Sequence, residues 1–321
     1  MNQSLLKTEF AKVMQVNLVD DMDVLEIQHQ HCQAKVSLYG GQVLSYQPIC
    51  QVNSQDNDHK HAQKENKKDI FWLSKDAYYQ AGKAIRGGIP LCWPWFGPND
   101  KATQVIPSTN HGFAREVTWQ VDSITADEKE VIVVLVLQGE NQHALWPNRF
   151  KLIQTLSFGK TFKQSLSMTN LSTKDAQYSV ALHSYFCVSN PINISIDALT
   201  GCKFDDKLTG KTSLQKETVS CVGPIDREYH IQRNDEHVNK YQVSTVVMLD
   251  KGWQRKIEIT SMGCAQWVLW NPGDKLAATM ADVHVGGEQE YVCLEAANSK
   301  WQPLLANETV TVSQEIKVLP I

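Results

Sequence analysis

The chain has 321 residues, enough for one large domain or two and for a sizeable buried core. Its 31 basic and 35 acidic residues give a net charge of -4 and are spread along the chain, without the basic clustering that nucleic acid or an anionic membrane surface requires. No stretch approaches the roughly 18 apolar residues of a membrane span and no basic-then-apolar leader opens the chain, so a cytoplasmic location is expected.

Eight cysteines lie scattered without a Cys-x-x-Cys pair, which reads as reduced, mostly buried thiols rather than a disulfide frame or a zinc site. Residues 24–46 combine β-favouring side chains with short alternations, interrupted at Gly40-Gly41, and read as strands. Residues 51–69 carry Asn, Gln, Asp, His and Lys with almost nothing apolar, so a solvated, mobile insertion between strands is expected there. His59 and His61 fall in that insertion, and His29 and His31 precede it. Histidines two apart on a strand share a face, but with no further ligands identifiable no metal site is expected.

Residues 85–98, Ile-Arg-Gly-Gly-Ile-Pro-Leu-Cys-Trp-Pro-Trp-Phe-Gly-Pro, hold three prolines and three glycines around one cation. Proline fixes φ and glycine permits values that other residues resist, which predicts a stiff, irregular loop rather than a helix or strand. Arg86 offers a planar fork to a carboxylate or phosphate, beside the apolar faces of Trp93, Trp95 and Phe96. Two readings are open: the loop presents Arg86 to a ligand, or the aromatics plug a β core while Arg86 pairs with a structural carboxylate. Asn110-His111-Gly112-Phe113-Ala114-Arg115 then brings a second arginine beside a histidine and a glycine.

Residues 131–137 form a continuous apolar run, predicting a strand buried on both faces. Residues 151–158 and 162–169, separated by Gly159-Lys160, predict a hairpin with Phe162, Leu166 and Met168 on one face. In residues 178–188, Val180, Leu182, Phe186 and Val188 share one face of a strand, leaving Ala181, His183, Tyr185 and Cys187 on the other. Asp226-Arg227-Glu228-Tyr229 punctuates a loop-rich region. Residues 257–259 and 265–270 read as strands, and Trp270-Asn271-Pro272-Gly273-Asp274 as a turn capping a short helix over 275–280. Residues 290–296 repeat the earlier pattern, with Val292, Leu294 and Ala296 on the apolar face and Tyr291, Cys293 and Glu295 opposite. Desolvation there raises the pKa of Glu295 toward a value useful for proton transfer. Residues 309–319 alternate with Val310, Val312, Ile316 and Val318 inward. Many short strands and few helices predict an all-β protein, a large antiparallel β-sandwich with a few short helices, as a single domain over 1–321 with the polar insertion at about 51–69.

The motifs Arg86-Gly-Gly-Ile-Pro-Leu-Cys-Trp-Pro-Trp-Phe-Gly-Pro, His111-Gly-Phe-Ala-Arg115, Ala181-Leu-His183-Ser-Tyr-Phe and Cys293-Leu-Glu295 together resemble the glucose-6-phosphate 1-epimerase (hexose-6-phosphate mutarotase) branch of the aldose 1-epimerase family. The resemblance implies a galactose-mutarotase-like supersandwich, a site without metal or cofactor, and interconversion of the α and β anomers of a hexose 6-phosphate. It makes His183 and Glu295 the catalytic pair, Arg86 and Arg115 the holders of the phosphate end, and Asp226 a sugar ligand. Asn110 stands where related enzymes carry glutamine, and its shorter amide shortens the reach; Asn110 and His111 complete the expected substrate contacts. The expected partner is a small sugar phosphate, with no nucleic acid and no membrane, and the expected state is a monomer.

The chemistry agrees independently. Opening a cyclic hemiacetal needs one proton delivered to the ring oxygen and another removed from the anomeric hydroxyl; histidine, with an ordinary pKa of about 6.5, is suited to donate and a desolvated glutamate to accept. Two alternatives remain at this point. A glycoside hydrolase or lyase on a similar sandwich would pair Asp226 with Glu295, and a sugar-phosphate sensor would keep the binding face without turnover.

Overall fold

Strands make up most of the chain, and their pairing builds three antiparallel sheets that share one core. The computed structural model describes residues 3–19, 22–49, 68–104, 109–230 and 243–321. The expected insertion falls largely on residues 50–67, outside the described residues, as do His59 and His61. Asp69, assigned to its end, is a half-buried anchor instead: its carboxylate accepts from the Tyr46 and Phe71 backbone N–H groups at 2.9 and 3.0 Å and from the Ser45 hydroxyl.

The first sheet is a meander of β1 (Gln3–Lys7), β2 (Ala11–Val19), β3 (Met22–His29), β4 (Cys32–Ser37) and β5 (Gln42–Pro48). His29 ends β3 while His31 lies in the following turn, where the His29 ring accepts from the His31 N–H; the two do not share a strand face. Beyond the first sheet come β6 (Leu91–Cys92), β7 (Gln120–Ala126), β8 (Val131–Gly139), β9 (Phe150–Phe158), β10 (Phe162–Asn170), β11 (Ala176–Leu182), β12 (Tyr185–Cys187) and β13 (Ile194–Ser195). The rest are β14 (Lys203–Asp206), β15 (Lys211–Leu214), β16 (Ile225–His230), β17 (Val243–Asp250), β18 (Arg255–Met262), β19 (Gln266–Asn271), β20 (Tyr291–Leu304) and β21 (Thr309–Pro320). The second sheet runs β13-β17-β18-β21-β10-β9-β8-β7. The third runs β15-β14-β16-β19-β20-β11-β6, with β12 also on β20.

Inward residues of all three sheets meet in one cluster that includes Leu25 and Ile27, Leu152 and Ile316, and Leu182 and Leu294. Each such side chain, fully buried, contributes about 1.5–3 kcal/mol. The β9–β10 hairpin forms as expected, Phe158 opposite Phe162, with Phe162, Leu166 and Met168 wholly buried. The run at 131–137 is not covered on both faces: Val131, Val133 and Leu135 are buried, whereas Ile132, Val134 and Val136 are only half covered. Its sheet packs on the core with one face, and β-branched residues suit the open face of a pleated sheet. Two further readings are corrected. Asp226–Tyr229 is not loop but part of β16, paired on both sides. The short helix spans Gly273–Ala277 rather than 275–280, because the Asn271 side chain accepts from the Gly273 N–H and starts the turn there.

A polar chain crosses this apolar core. Gln154 Nε2 donates to the Gly41 carbonyl (2.6 Å), Gln164 Nε2 to Gln154 Oε1 (2.7 Å) and Gln314 Nε2 to Gln164 Oε1 (2.7 Å); Gln314 and the Ser184 hydroxyl complete it at 3.1 Å. The chain ties all three sheets together with its members mutually satisfied. Among the described residues, no helix is long and apolar enough to cross a membrane.

Candidate active site

The third sheet breaks at one place. Between β11 and β12 the Ser184 N–H turns back to the Leu182 carbonyl (2.9 Å), so His183 sits at the centre of a three-residue turn and leaves the ladder. Register survives the gap: Leu182 faces Ala296 and Tyr185 faces Cys293, which sets His183 opposite Glu295. Alternation therefore holds across the break. Leu182 and Phe186 stay in the main core while Tyr185 joins a second cluster with Tyr291 and Cys293, as the sequence pattern predicts.

Strand pairing extends these positions into rows on one face of the sheet. One row runs Glu228, Val268, Glu295, His183; the next runs Asp226, Trp270, Cys293, Tyr185. A third row supplies the small residues Cys92, Ala181 and Ala297, buried with Val268 beneath Phe96. Over this face opens a cavity of about 640 Å³. Arg86, Asn110, His111, Arg115, His183, Asp226 and Glu295, named from sequence, all line it.

The loop residues arrive by tight backbone packing. Gly87 and Gly88 have φ of 114° and 62°, and a Cβ on them would stand 2.4 Å from the Trp72 carbonyl oxygen and 2.1 Å from that of Val43, so only glycine lets the chain thread here. Leu91–Cys92 of the same loop is β6, a short strand on β11, where no strand was expected. Trp93 and Trp95 are buried in the core with Phe113, while Trp270 lines the cavity. Both readings of Arg86 find support in its contacts: it lines the cavity, yet its Nε donates to Asp282 (3.0 Å) and its Nη1 to the Tyr185 hydroxyl (2.9 Å). Arg115 Nη2 donates to the Asn110 carbonyl (2.7 Å), and its buried Nε has no hydrogen-bond partner.

His183 and Glu295 approach to 3.4 Å (Nε2 to Oε1), with 8% and 2% of their side chains exposed. The His183 ring stacks on Tyr185 (4.8 Å, 6° between planes) and meets His111 edge-on at 5.6 Å. Burial, then His111, Arg115 and Arg86, hold His183 well below the ordinary histidine pKa. Burial and the neighbouring Asp226 hold Glu295 well above the ordinary carboxylate value. The expected rise for Glu295 is present, but His183 is not poised near neutrality. Burial favours the neutral form of both groups.

His111 has a left-handed φ of 69°, held by reciprocal bonds: its N–H donates to the Gly97 carbonyl (2.8 Å) and its Nδ1 accepts from the Gly97 N–H (3.1 Å). The ring proton therefore sits on Nε2, and burial with Arg115 and Arg86 lowers the pKa to about 3, keeping His111 neutral. Burial raises Asp226 against the opposing pull of Lys207.

Lys207 and Glu228 also line the cavity and were not singled out from the sequence. The signal was there, two residues after Asp226 on one strand face, but it required β16 to be read as a strand. Asp205, Glu228 and His230 are the metal-ligand types that cluster among the described residues. Lys207 Nζ stands 3.1 Å from Glu228, Lys300 Nζ 4.0 Å from Asp205, and His230 Nε2 3.0 Å from Asp205.

Residues 23–317 match the aldose 1-epimerase family model. A protein of Escherichia coli, provisionally named glucose-6-phosphate 1-epimerase, is 29% identical over 318 residues, covering 97% of this chain and 95% of its own. One of Salmonella typhimurium with the same provisional name is 29% identical over 289 residues, covering 89% and 87%. The crystal structure of a provisionally titled mutarotase from Salmonella typhimurium superposes with a TM-score of 0.81 at 26% identity, over 98% of this chain and 96% of that one. Galactose 1-epimerase from Lactobacillus acidophilus NCFM shares the fold, with a TM-score of 0.69 at 12% identity over 97% and 98% of the two chains. With the family match spanning the sheets, the break at His183 and the cavity over them, this chain belongs to the aldose 1-epimerase family.

Proposed function

We propose that the protein interconverts the α and β anomers of a hexose 6-phosphate, glucose 6-phosphate first among them, by acid/base opening and reclosure of the ring. The opposed, buried His183–Glu295 pair at 3.4 Å in a cavity that also holds Arg86 and Arg115 supports this reading most directly. In ring opening, Glu295 takes the proton of the anomeric hydroxyl and His183 gives one to the ring oxygen; the C1–O5 bond breaks, leaving the open aldehyde and two neutral side chains. Rotation about C1–C2 presents the other face of the aldehyde. Reclosure returns the hydroxyl proton to His183 and the Glu295 proton to O1. The two placements of the pair's proton differ only by a transfer between Nε2 and Oε1, so the neutral resting arrangement and the charged reactive one hold the same number of protons.

His111 Nε2–H and Asp226 are a donor and an acceptor for the sugar hydroxyls, and Arg115, with Arg86, is the cation for the phosphate. A phosphorylated sugar as substrate fits a cytoplasmic enzyme. NMR magnetisation exchange between the anomers of glucose 6-phosphate tests the proposal. His183→Asn and Glu295→Gln each remove one proton-transfer group while keeping shape, and each is expected to lower exchange by roughly 100- to 10,000-fold. Near-normal exchange in either variant overturns the assignment; no exchange by the unaltered protein leaves the sensor reading.

A further inference from the structure

We propose that Glu228 and Lys207 form a second recognition point in the cavity, taking the ring hydroxyls on the side of the pyranose opposite C1. This deepens the anomer-exchange reading and rests on it. Glu228 is 1% exposed and lines the cavity. Its Oε2 lies 3.1 Å from Lys207 Nζ, while its Oε1 is buried without a hydrogen-bond partner. Lys207 also lines the cavity, with half of its side chain exposed.

An ion pair alone does not account for this arrangement. A pair with a half-exposed lysine contributes little to stability, whereas burying a carboxylate with one oxygen unsatisfied is costly. A sugar hydroxyl resolves the conflict, since it donates one hydrogen and accepts another: the carboxylate, one of whose oxygens has no partner, is the acceptor and the ammonium, with three N–H groups, the donor.

Position in the sheet says which hydroxyl. Glu228 lies in the same row as Glu295 and His183, separated from Glu295 by Val268 on the intervening strand. Two strand spacings make about 10 Å between the two carboxylate-bearing strands. With C1 and the ring oxygen held at Glu295 and His183, the ring lies across Val268, and C3 and C4 are the ring carbons that extend toward Glu228. A C4 epimer turns its hydroxyl out of that direction, so the pair selects the configuration at this end of the sugar.

The test uses the full-length protein with glucose 6-phosphate, its 3-deoxy and 4-deoxy analogues and galactose 6-phosphate, for the unaltered chain, Glu228→Gln and Lys207→Met. Calorimetric Kd values and anomer-exchange KM values are measured in parallel. The unaltered protein is expected to bind at least one deoxy analogue roughly tenfold or more weakly than glucose 6-phosphate, the effect of one hydrogen bond to a charged group. Each variant should weaken glucose 6-phosphate by a comparable factor and that deoxy analogue by less than about twofold, the signature of a shared contact. Lys207→Met changes a half-exposed residue, so the contrast survives if Glu228→Gln folds poorly. Equal Kd values for all four ligands, or equal losses on the parent and deoxy sugars, overturn the proposal. Absence of exchange by the unaltered protein strikes the anomer-exchange reading instead, and the Kd contrast still decides this one.

Discussion

The two arginines of the cavity should fail in different ways when removed. Arg115 spends one N–H group on a backbone carbonyl and keeps its Nε unpartnered, so its fork is available to an anion. A hydrogen bond to a charged group is worth ~1.5–3 kcal/mol, and 1.4 kcal/mol is tenfold, so losing one phosphate contact in Arg115→Ala should raise KM for glucose 6-phosphate roughly 10- to 100-fold. The change for free glucose should be slight and the melting temperature nearly unaltered. Arg86 is committed on two sides, to Asp282, which is 15% exposed, and to the Tyr185 hydroxyl. Arg86→Ala leaves both groups short of a partner, at a cost of about 1–3 kcal/mol for each. It also frees the Tyr185 ring on which His183 stacks. The melting temperature should therefore fall, and exchange should drop for phosphorylated and free sugars alike, with the phosphate-specific loss on top. The assay is anomer exchange on glucose 6-phosphate and glucose beside thermal unfolding of both variants. Equal losses on the two sugars in Arg115→Ala would refute its role at the phosphate. An Arg86→Ala variant of normal stability, impaired only toward the phosphorylated sugar, would refute the bracing role.

The proton balance of His183 and Glu295 predicts a broad pH profile. A pair holding one proton gains a second only when His183, held low by burial, is charged, and loses its last only when Glu295, held high by burial, ionises. So kcat should stay level as pH rises through the ordinary histidine value of about 6.5, and a fall centred there would contradict the shared-proton account. KM should carry a separate acidic limb from the substrate's own phosphate, whose second pKa is about 6. In the core, Gln164→Leu leaves Gln154 Oε1 unpaired and takes from Gln314 Nε2 one of its two partners, the Ser184 hydroxyl remaining, which should lower unfolding stability by roughly 1–4 kcal/mol in denaturant titration. A loss below about 0.5 kcal/mol, the scale of an ordinary surface change, would show that the glutamine chain is dispensable.

Alternation was legible wherever a strand keeps one face on the core. The faces of residues 178–188 and 290–296, the β9–β10 hairpin and the inward residues of β21 follow from side-chain sequence alone, because a strand's period of two is a local property. Motif spelling likewise named Arg86, His111, Arg115, His183, Asp226 and Glu295, whose side chains the fold brings to one cavity. Local pattern could not say which strand lies beside which. The row Glu228, Val268, Glu295, His183 exists only through the pairing of β16, β19, β20 and the β11–β12 break, residues spread over more than a hundred positions. The turn that lifts His183 from its ladder depends on partners at Pro90 and Gly88, which no local pattern contains. Apolar content misjudged residues 131–137, since whether a sheet is covered on one side or both is decided by its neighbours. The protonation preferences in the cavity were decided at the same level: residue type supplies a histidine and a glutamate, but burial beside His111, Arg115 and Arg86 pushes the histidine's pKa down, and burial beside Asp226 pushes the glutamate's up.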